Sequence, residues 1–206
     1  DEADKHNAQI IARLPGEYKV YHSYDSVKDQ VEEGLHVAPE YLNTLRSPEL
    51  PPHELKIKVN TIVMLLRNLK VREGLCNGTR IMVTRLDNNL IHGKIVSVGD
   101  HYGREVSIPR ITLDSSKGFG FTLARHQFPV KPAFAMTIHK LQGQTFDFVG
   151  VDLTRDVLGH GQLYVAFSRV RTQAGLKVKL NPEGGNRTLN IVDRSILSDV
   201  LPDPEQ

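Results

Sequence analysis

The stretch Ala133-Phe-Ala-Met-Thr-Ile-His-Lys-Leu-Gln-Gly-Gln-Thr-Phe-Asp147, answered by His160-Gly-Gln-Leu-Tyr-Val-Ala-Phe-Ser-Arg169, constrains this chain more than any other feature. Ala133 to Met136 is an uncharged apolar run and reads as a buried strand. It gives way to Thr137, His139 and Lys140: a hydroxyl, an imidazole and an ammonium, each able to donate to a phosphate oxygen. Gln142-Gly143-Gln144-Thr145 is small and polar, and Gly143 lets the backbone approach a ligand closely. Phe146 to Leu153 reads as the next buried strand. A strand, a polar turn or short helix, and a second strand form an α/β unit. In such sheets ligands gather beyond the carboxyl ends of the strands, where Thr137 to Gln144 would fall.

The answering segment reads as a helix. Leu163, Ala166, Phe167 and Val170 recur at i, i+3, i+4 and i+7, an apolar stripe that would face a sheet. Gln162 and Arg169 are seven apart and would share another face. A helix presenting both can set a guanidinium on a phosphate. Taken singly, these residues have plainer readings. Arg169 would counter a helix dipole, His139 would be a satisfied histidine, and Gly143 would end a helix. Their joint order carries the functional reading.

Charge is unevenly placed along the 206 residues, whose net charge is only +2. Residues 1–55 hold 5 basic and 11 acidic side chains, giving −6, whereas residues 56–131 hold 13 and 5, giving +8. Residues 132–180 carry 6 and 3, giving +3, and residues 181–206 carry 2 and 5, giving −3. A positive middle is the footprint of a polyanion surface, or plainly of a solvated basic face. The lone Cys76 excludes an internal disulfide framework and a cysteine-rich zinc site. No apolar run approaches the roughly 18 residues of a membrane span, and the amino terminus reads without a signal peptide. No metal-ligand spacing is visible among the nine histidines. These features fit an intracellular, reducing compartment, with the sequons at Asn77 and Asn186 arising by chance.

Asp1-Glu-Ala-Asp4 tempts a metal-box reading, but no apolar strand precedes it to hold a carboxylate on Mg²⁺. Ala3, Ile10, Ile11 and Leu14 are helically spaced, so the acids belong to a first helical turn, and Pro15-Gly16 stops that helix. Val20 to Tyr24 reads as a short strand. Lys28 to Pro52 is acidic, with Pro39 opening a brief helix and Pro48, Pro51 and Pro52 marking a linker. From Leu55 the pattern becomes strands: Ile57 to Leu66, Thr79 to Leu86, Leu90 to Val98, Glu105 to Leu113 and Phe119 to Ala124. Turn signals stand between them at Asn77-Gly78, Asn88-Asn89, Gly99-Asp100 and Ser115-Ser116. Short strands at this spacing with no helix between them suggest a small barrel. Lys117-Gly-Phe-Gly-Phe121 matches the opening of an RNA-recognition motif, but its partner motif lacks the aromatic and Ala124 replaces the third aromatic. Phe119 and Phe121 are better read as flanking a barrel strand.

Ala-Met-Thr-Ile-His-Lys-x-Gln-Gly-Gln-Thr followed by Gly-Gln-Leu-Tyr-Val-Ala-x-Ser-Arg resembles motifs V and VI of the Pif-type (petite integration frequency) helicases. Val63-Met-Leu-Leu-Arg-Asn68, Gly74-Leu-Cys-Asn-Gly-Thr-Arg80, Ile108-Pro-Arg110, Gln127-Phe-Pro-Val130 and Gly159-His-Gly-Gln-Leu-Tyr164 resemble its Helitron-transposon branch. The resemblance runs from about the first helix to near Val192. It implies an α/β fold, a second RecA-like (P-loop NTPase-type) helicase domain carrying an inserted small all-β Src-homology-like barrel. Residues 1–54 would hold the first part of that domain and a linker, 55–130 the barrel, 131–195 the remainder with motifs V and VI, and 196–206 a tail.

The implied activity is ATP-dependent 5′–3′ DNA unwinding, in the family's setting of DNA repair, recombination and telomere maintenance. Arg169 would be the catalytic arginine. Gln142, Gly143, Gln144, Gln162 and Arg169 would contact nucleotide, and Thr137, His139 and Lys140 the single-stranded DNA backbone. No metal ligand is assigned to this chain. ATP and Mg²⁺ are the implied cofactors, with the Mg²⁺ ligands in an amino-terminal half. Implied partners are single-stranded DNA, duplex junctions and the amino-terminal RecA-like domain of the same protein. The protein would act as a monomer, in the nucleus or alternatively the mitochondrion, without a membrane.

Three positions depart from the family pattern: Asn60 where glycine is usual, Leu141 where a small polar residue is common, and Phe167 where an aliphatic residue is common. No Gly-x-x-x-x-Gly-Lys-Ser/Thr loop and no strand-borne Asp-Glu pair is present. The expectation is therefore the carboxyl-terminal half of a motor, inactive alone. The alternative from another class is a non-enzymatic nucleic-acid-binding remnant of a transposon helicase.

Overall fold

Between Glu54 and Pro132, alternating apolar and polar residues form antiparallel ladders in the computed structural model, which describes residues 2–28, 37–116, 118–185 and 187–192. The chain divides into two compact units, Asp1–Ala135 and Met136–Gln206. Asp1, Lys117, Asn186 and the expected 196–206 tail lie outside the described residues.

In the first unit, helix α1 (Glu2–Arg13) carries Glu2 and Asp4 in its first turn, as the dipole favours. Its last carbonyls are met by a lysine 6% exposed: Lys58 Nζ donates to Leu14 O at 2.8 Å and Ala12 O at 3.4 Å, with the Tyr18 ring 4.5 Å away. The expected strand Val20–Tyr24 is two strands. Strand β1 (Lys19–His22) pairs with β3 (Glu54–Ile57), and β2 (Tyr24–Val27) pairs with β9 (Leu123–Gln127). Helix α2 (Pro39–Thr44) opens on Pro39, whose missing N–H costs nothing there.

Strands β4 (Ile62–Leu65), β5 (Arg80–Leu86), β6 (Leu90–Ile95), β7 (Glu105–Pro109) and β10 (Val130–Pro132) form one antiparallel sheet in the order β10-β4-β5-β6-β7. Strands β2, β9 and β8 (Ile111–Ser115) form a second sheet. The expected run Ile57–Leu66 breaks at Asn60, the only non-glycine residue with positive φ (69°) among the described residues. Asparagine is the residue that best tolerates this left-handed conformation after glycine, which explains the departure seen in the sequence. The expected run Glu105–Leu113 breaks at Pro109-Arg110, so β7 and β8 enter different sheets. No ladder among the described residues joins β7 to β10; the sheet is open, not the closed barrel expected. Phe119 and Phe121 precede β9 and stack on each other at 6.1 Å, half-buried over Leu113 and Leu123.

One face of the five-stranded sheet and the β1–β3 pair share a core of Tyr21, Leu55, Ile57, Val63, Leu65, Ile81, Val83, Ile91, Ile108 and Phe128. Arg125, 1% exposed, binds Asp25 through two hydrogen bonds of 2.9 and 2.7 Å. Its remaining donors reach Pro51 O, Leu42 O and Leu45 O at 3.0 to 3.2 Å, fastening α2 and the following linker to β9.

Ala133–Met136 is not a strand. Within the first unit, the buried Asn7 of α1 serves this segment instead: its Nδ2 donates to Ala135 O at 2.8 Å, and Ala135 N donates to its Oδ1 at 2.8 Å. The side-chain amide satisfies the groups that a neighbouring strand would have paired.

In the second unit, the expected strand Phe146–Leu153 shortens to β11 (Val149–Leu153), which pairs in parallel with β12 (Leu176–Leu180). Helix α3 (Gln162–Phe167) connects them through its apolar stripe: Ala166 is fully buried with Val151, Leu153 and Val157, and Leu163 and Phe167 pack alongside. Among the described residues no helix is long and apolar enough to cross a membrane.

Candidate functional site

All eight residues singled out in the sequence fall in the second unit, on two segments. The first follows Thr137 into a 3₁₀ turn, Ile138–Leu141, in which Lys140 N donates to Thr137 O at 3.0 Å. Ile138 packs into the Val151–Ala166 cluster and so turns the polar residues outward. Thr137, His139, Gln142 and Gly143 are exposed, and Lys140 is half-buried. Gly143 has φ 77°, with open space where a Cβ would stand. It lets the chain turn so that Gln144 N reaches Leu141 O at 3.0 Å and Gln144 Nε2 reaches Lys140 O at 3.1 Å. The side chains of Thr137, Lys140 and Gln142 make no hydrogen bond among the described residues.

The second segment is α3 and the two residues after it. Arg169 lies beyond the helix rather than on it. Its Nε donates to Val165 O at 3.0 Å, its Nη1 to Gln144 O at 3.3 Å and its Nη2 to Ser168 Oγ at 2.9 Å. Three of the guanidinium's five N–H groups are thereby used, leaving one on each terminal nitrogen for a further acceptor such as a phosphate oxygen. The main chain is held as well, because Phe146 N donates to Arg169 O at 2.8 Å and Arg171 N to Phe146 O at 3.2 Å. Gly175 makes room for this crossing: a Cβ there would sit 2.1 Å from Asp147 O.

Gln162 and Arg169, expected on a shared face, have different partners. Gln162 Oε1 accepts from Leu158 N at 3.1 Å, which turns its Nε2 to within 3.3 Å of His139 Nε2. The amide nitrogen can only donate, so His139 Nε2 accepts and the imidazole proton resides on Nδ1. Across the two segments the structure thus joins His139 to Gln162 and Arg169 to Gln144, whose amide in turn reaches the Lys140 carbonyl. Ser168 and Phe146 complete the arrangement. Both stand in the motif strings of the sequence, but neither carries a site signal there. On the neighbouring strands, burial alone would raise the Asp152 carboxyl, but hydrogen bonds from Thr154 and Lys179 outweigh it and hold the group below the usual range.

Several of the basic side chains in the positive middle are paired. Lys70 pairs with Glu73, Arg85 with Asp87, Lys94 with Glu105, and Arg125 with Asp25. A cleft of about 440 Å³ in the first unit is lined by Lys70, Arg85 and His92 and also by Glu73 and Glu105. Its mixed charge does not make a polyanion groove. Among the described residues no three His, Cys, Asp or Glu side chains come together as a metal centre.

Comparison with known proteins gives these features a setting. Residues 40–86 match the family model described as DNA helicase Pif1, 2B domain. The chain is 33% identical over 178 residues to the ATP-dependent DNA helicase PIF1 of Danio rerio, covering 86% of this chain and 26% of that protein. It is 33% identical to the human ATP-dependent DNA helicase PIF1 with the same coverage. The ATP-dependent DNA helicase Pif1 of Bdellovibrio bacteriovorus is 32% identical over 196 residues, which are 95% of this chain and 40% of that one. Among solved structures, the Pif1 helicase from Candida albicans matches with a TM-score of 0.70 and 25% identity, over 96% of this chain and 46% of that one. A Bacteroides Pif1 helicase in complex with ADP-AlF3 and single-stranded DNA matches with a TM-score of 0.67 and 26% identity, over 96% and 42%. The chain therefore spans about a quarter of the length of the vertebrate relatives it matches.

Proposed function

Because the chain belongs to the Pif1 helicase family, we propose that it supplies the arginine-bearing half of an ATP-driven DNA motor. Single-stranded and junction DNA are its track, the direction is 5′ to 3′, and a monomer is the working form. An amino-terminal RecA-like domain of the same protein closes on ATP from the other side. On this reading that domain supplies the phosphate loop and the Mg²⁺ ligands. We assign residues 1–54 and 131–195 to the second RecA-like domain and 55–130 to its inserted β module, with β1 and β2 of the first stretch pairing with β3 and β9.

One observation carries the reading. The Arg169 guanidinium is anchored at Val165 O, Gln144 O and Ser168 Oγ, with one N–H left on each terminal nitrogen. In hydrolysis, water attacks the γ-phosphorus and the bond to the β–γ bridging oxygen breaks, so charge builds on the oxygens around phosphorus. A preorganised guanidinium stabilises that charge without reorganising, and comparable arginine fingers contribute on the order of 10³ to 10⁵ in rate. Gln142, Gly143, Gln144 and Gln162 contact the nucleotide. Thr137, His139 and Lys140 hold the DNA backbone through phosphate, which gives a grip tolerant of sequence and sensitive to salt. His139 donates from Nδ1 while Nε2 rests on Gln162. A nuclear or mitochondrial protein is the corresponding cellular form.

These 206 residues alone are inactive on this reading. ATP hydrolysis is measured for the chain alone and for the full-length protein that carries it, with and without single-stranded DNA. Only the full-length protein turns over, and DNA stimulates it. Hydrolysis by the isolated chain would contradict the proposal.

A further inference from the structure

We infer that Ser168 is a positioning residue for Arg169, a role resting on the reading of Arg169 as the group that meets the transferred phosphoryl. Ser168 caps α3 with φ −74° and ψ 0°, and its N–H closes the helix onto Tyr164 O at 2.9 Å. Its hydroxyl has one proton, which it donates to Val165 O at 3.2 Å. The oxygen must then accept from Arg169 Nη2, at 2.9 Å. Val165 O also accepts Arg169 Nε at 3.0 Å. The Nε–Nη2 edge of the guanidinium therefore lies against two acceptors that are themselves hydrogen-bonded together.

This ring of bonds has a consequence for direction. The last carbonyls of a helix attract a cation without defining its orientation. Val165 O alone would hold Nε and leave the planar group to swing about it. Ser168 Oγ, the second acceptor on the same edge, fixes the plane. The third bond, to Gln144 O, then sets which way the remaining Nη1 and Nη2 donors point. Ser168 touches neither nucleotide nor DNA in this scheme; it acts through Arg169. The side chain is exposed, so removing its hydroxyl leaves no buried group unsatisfied.

The test compares Ser168→Ala, Ser168→Thr and Arg169→Ala in the full-length protein by DNA-stimulated ATP turnover, with thermal unfolding as the check on folding. Ser168→Ala lowers kcat about tenfold, the effect of losing one charge-assisted hydrogen bond, and leaves KM for ATP within about twofold. Ser168→Thr retains the hydroxyl and recovers most of kcat. Wild-type kcat in Ser168→Ala beside an inactive Arg169→Ala overturns the inference and leaves the reading of Arg169 intact. A threonine variant as slow as the alanine variant, although equally well folded, also overturns it. Undiminished turnover in Arg169→Ala removes the reading on which the inference rests.

Discussion

Arg169 Nη1 donates to the carbonyl of Gln144 at 3.3 Å, and two residues further along, Phe146 N donates to the carbonyl of Arg169 at 2.8 Å. One short segment thus holds the arginine by side chain and main chain together. The polar turn at Gln142–Gln144 cannot move without moving the guanidinium or breaking one of these bonds. Gln144 Nε2 also donates to the Lys140 carbonyl at 3.1 Å, so on the proposed function Gln144 links a residue that meets DNA to the arginine that meets ATP.

The crossing depends on Gly175, where any Cβ would sit 2.1 Å from Asp147 O. Gly175→Ala forces backbone apart and is expected to cost about 1–3 kcal/mol, the usual range for overpacking a tight site. Hydrogen exchange at the Phe146 amide should accelerate with it. An unchanged melting temperature together with unchanged exchange would mean that the two segments do not cross this closely.

The buried Arg125–Asp25 pair gives a second stability prediction. Arg125→Met leaves the Asp25 carboxylate, whose side chain is 0% exposed, without its guanidinium partner, while Ser23 Oγ still donates to it at 2.7 Å. Removing one member of a buried pair costs roughly 3–5 kcal/mol, read as a fall in the urea midpoint. Asp25→Leu combined with Arg125→Met should cost less than the sum of the single changes. Additive costs would show that the two side chains do not interact.

Tyr21 predicts an alkaline limit. Burial, opposed by Arg110 and aided by Asp87, pushes its phenol up to about 12, and the hydroxyl donates to Asp87 O at 2.6 Å. The folded state favours the neutral phenol. Its contribution is therefore whole below the unfolded value near 10 and is lost as pH rises through the folded value of about 12. Stability measured across that window should fall in the wild type, and Tyr21→Phe should flatten that part of the profile. Identical profiles would place the phenol in solvent.

Much of this was legible before any fold was seen. Pro15-Gly16 ends α1, Pro39 opens α2, and the i, i+3, i+4 stripe of Leu163, Ala166 and Phe167 marks α3, because these signals act within a few residues. What stayed hidden acts over distance. Ala133–Met136 looked like a strand because nothing local reveals Asn7, 128 residues from Ala135, supplying an amide in place of a neighbour. Arg125 and Lys58 fall in the basic stretch, which has the footprint of a polyanion surface or a solvated face, and only the fold shows carbonyls arranged around them. Gln162 shared a helical face with Arg169 on paper, yet the Leu158 N–H turns its amide to His139. Asn60 looked like a simple departure until its φ of 69° showed that the site demands a left-handed residue.

The measurement that bears most directly on the central claim is DNA-stimulated ATP hydrolysis by the full-length protein beside its Arg169→Ala variant, with single-stranded DNA affinity measured on both. The account predicts that turnover falls by on the order of 10³ or more while DNA affinity is retained. Turnover that persists in the variant, or that falls only in step with lost DNA binding, would contradict it.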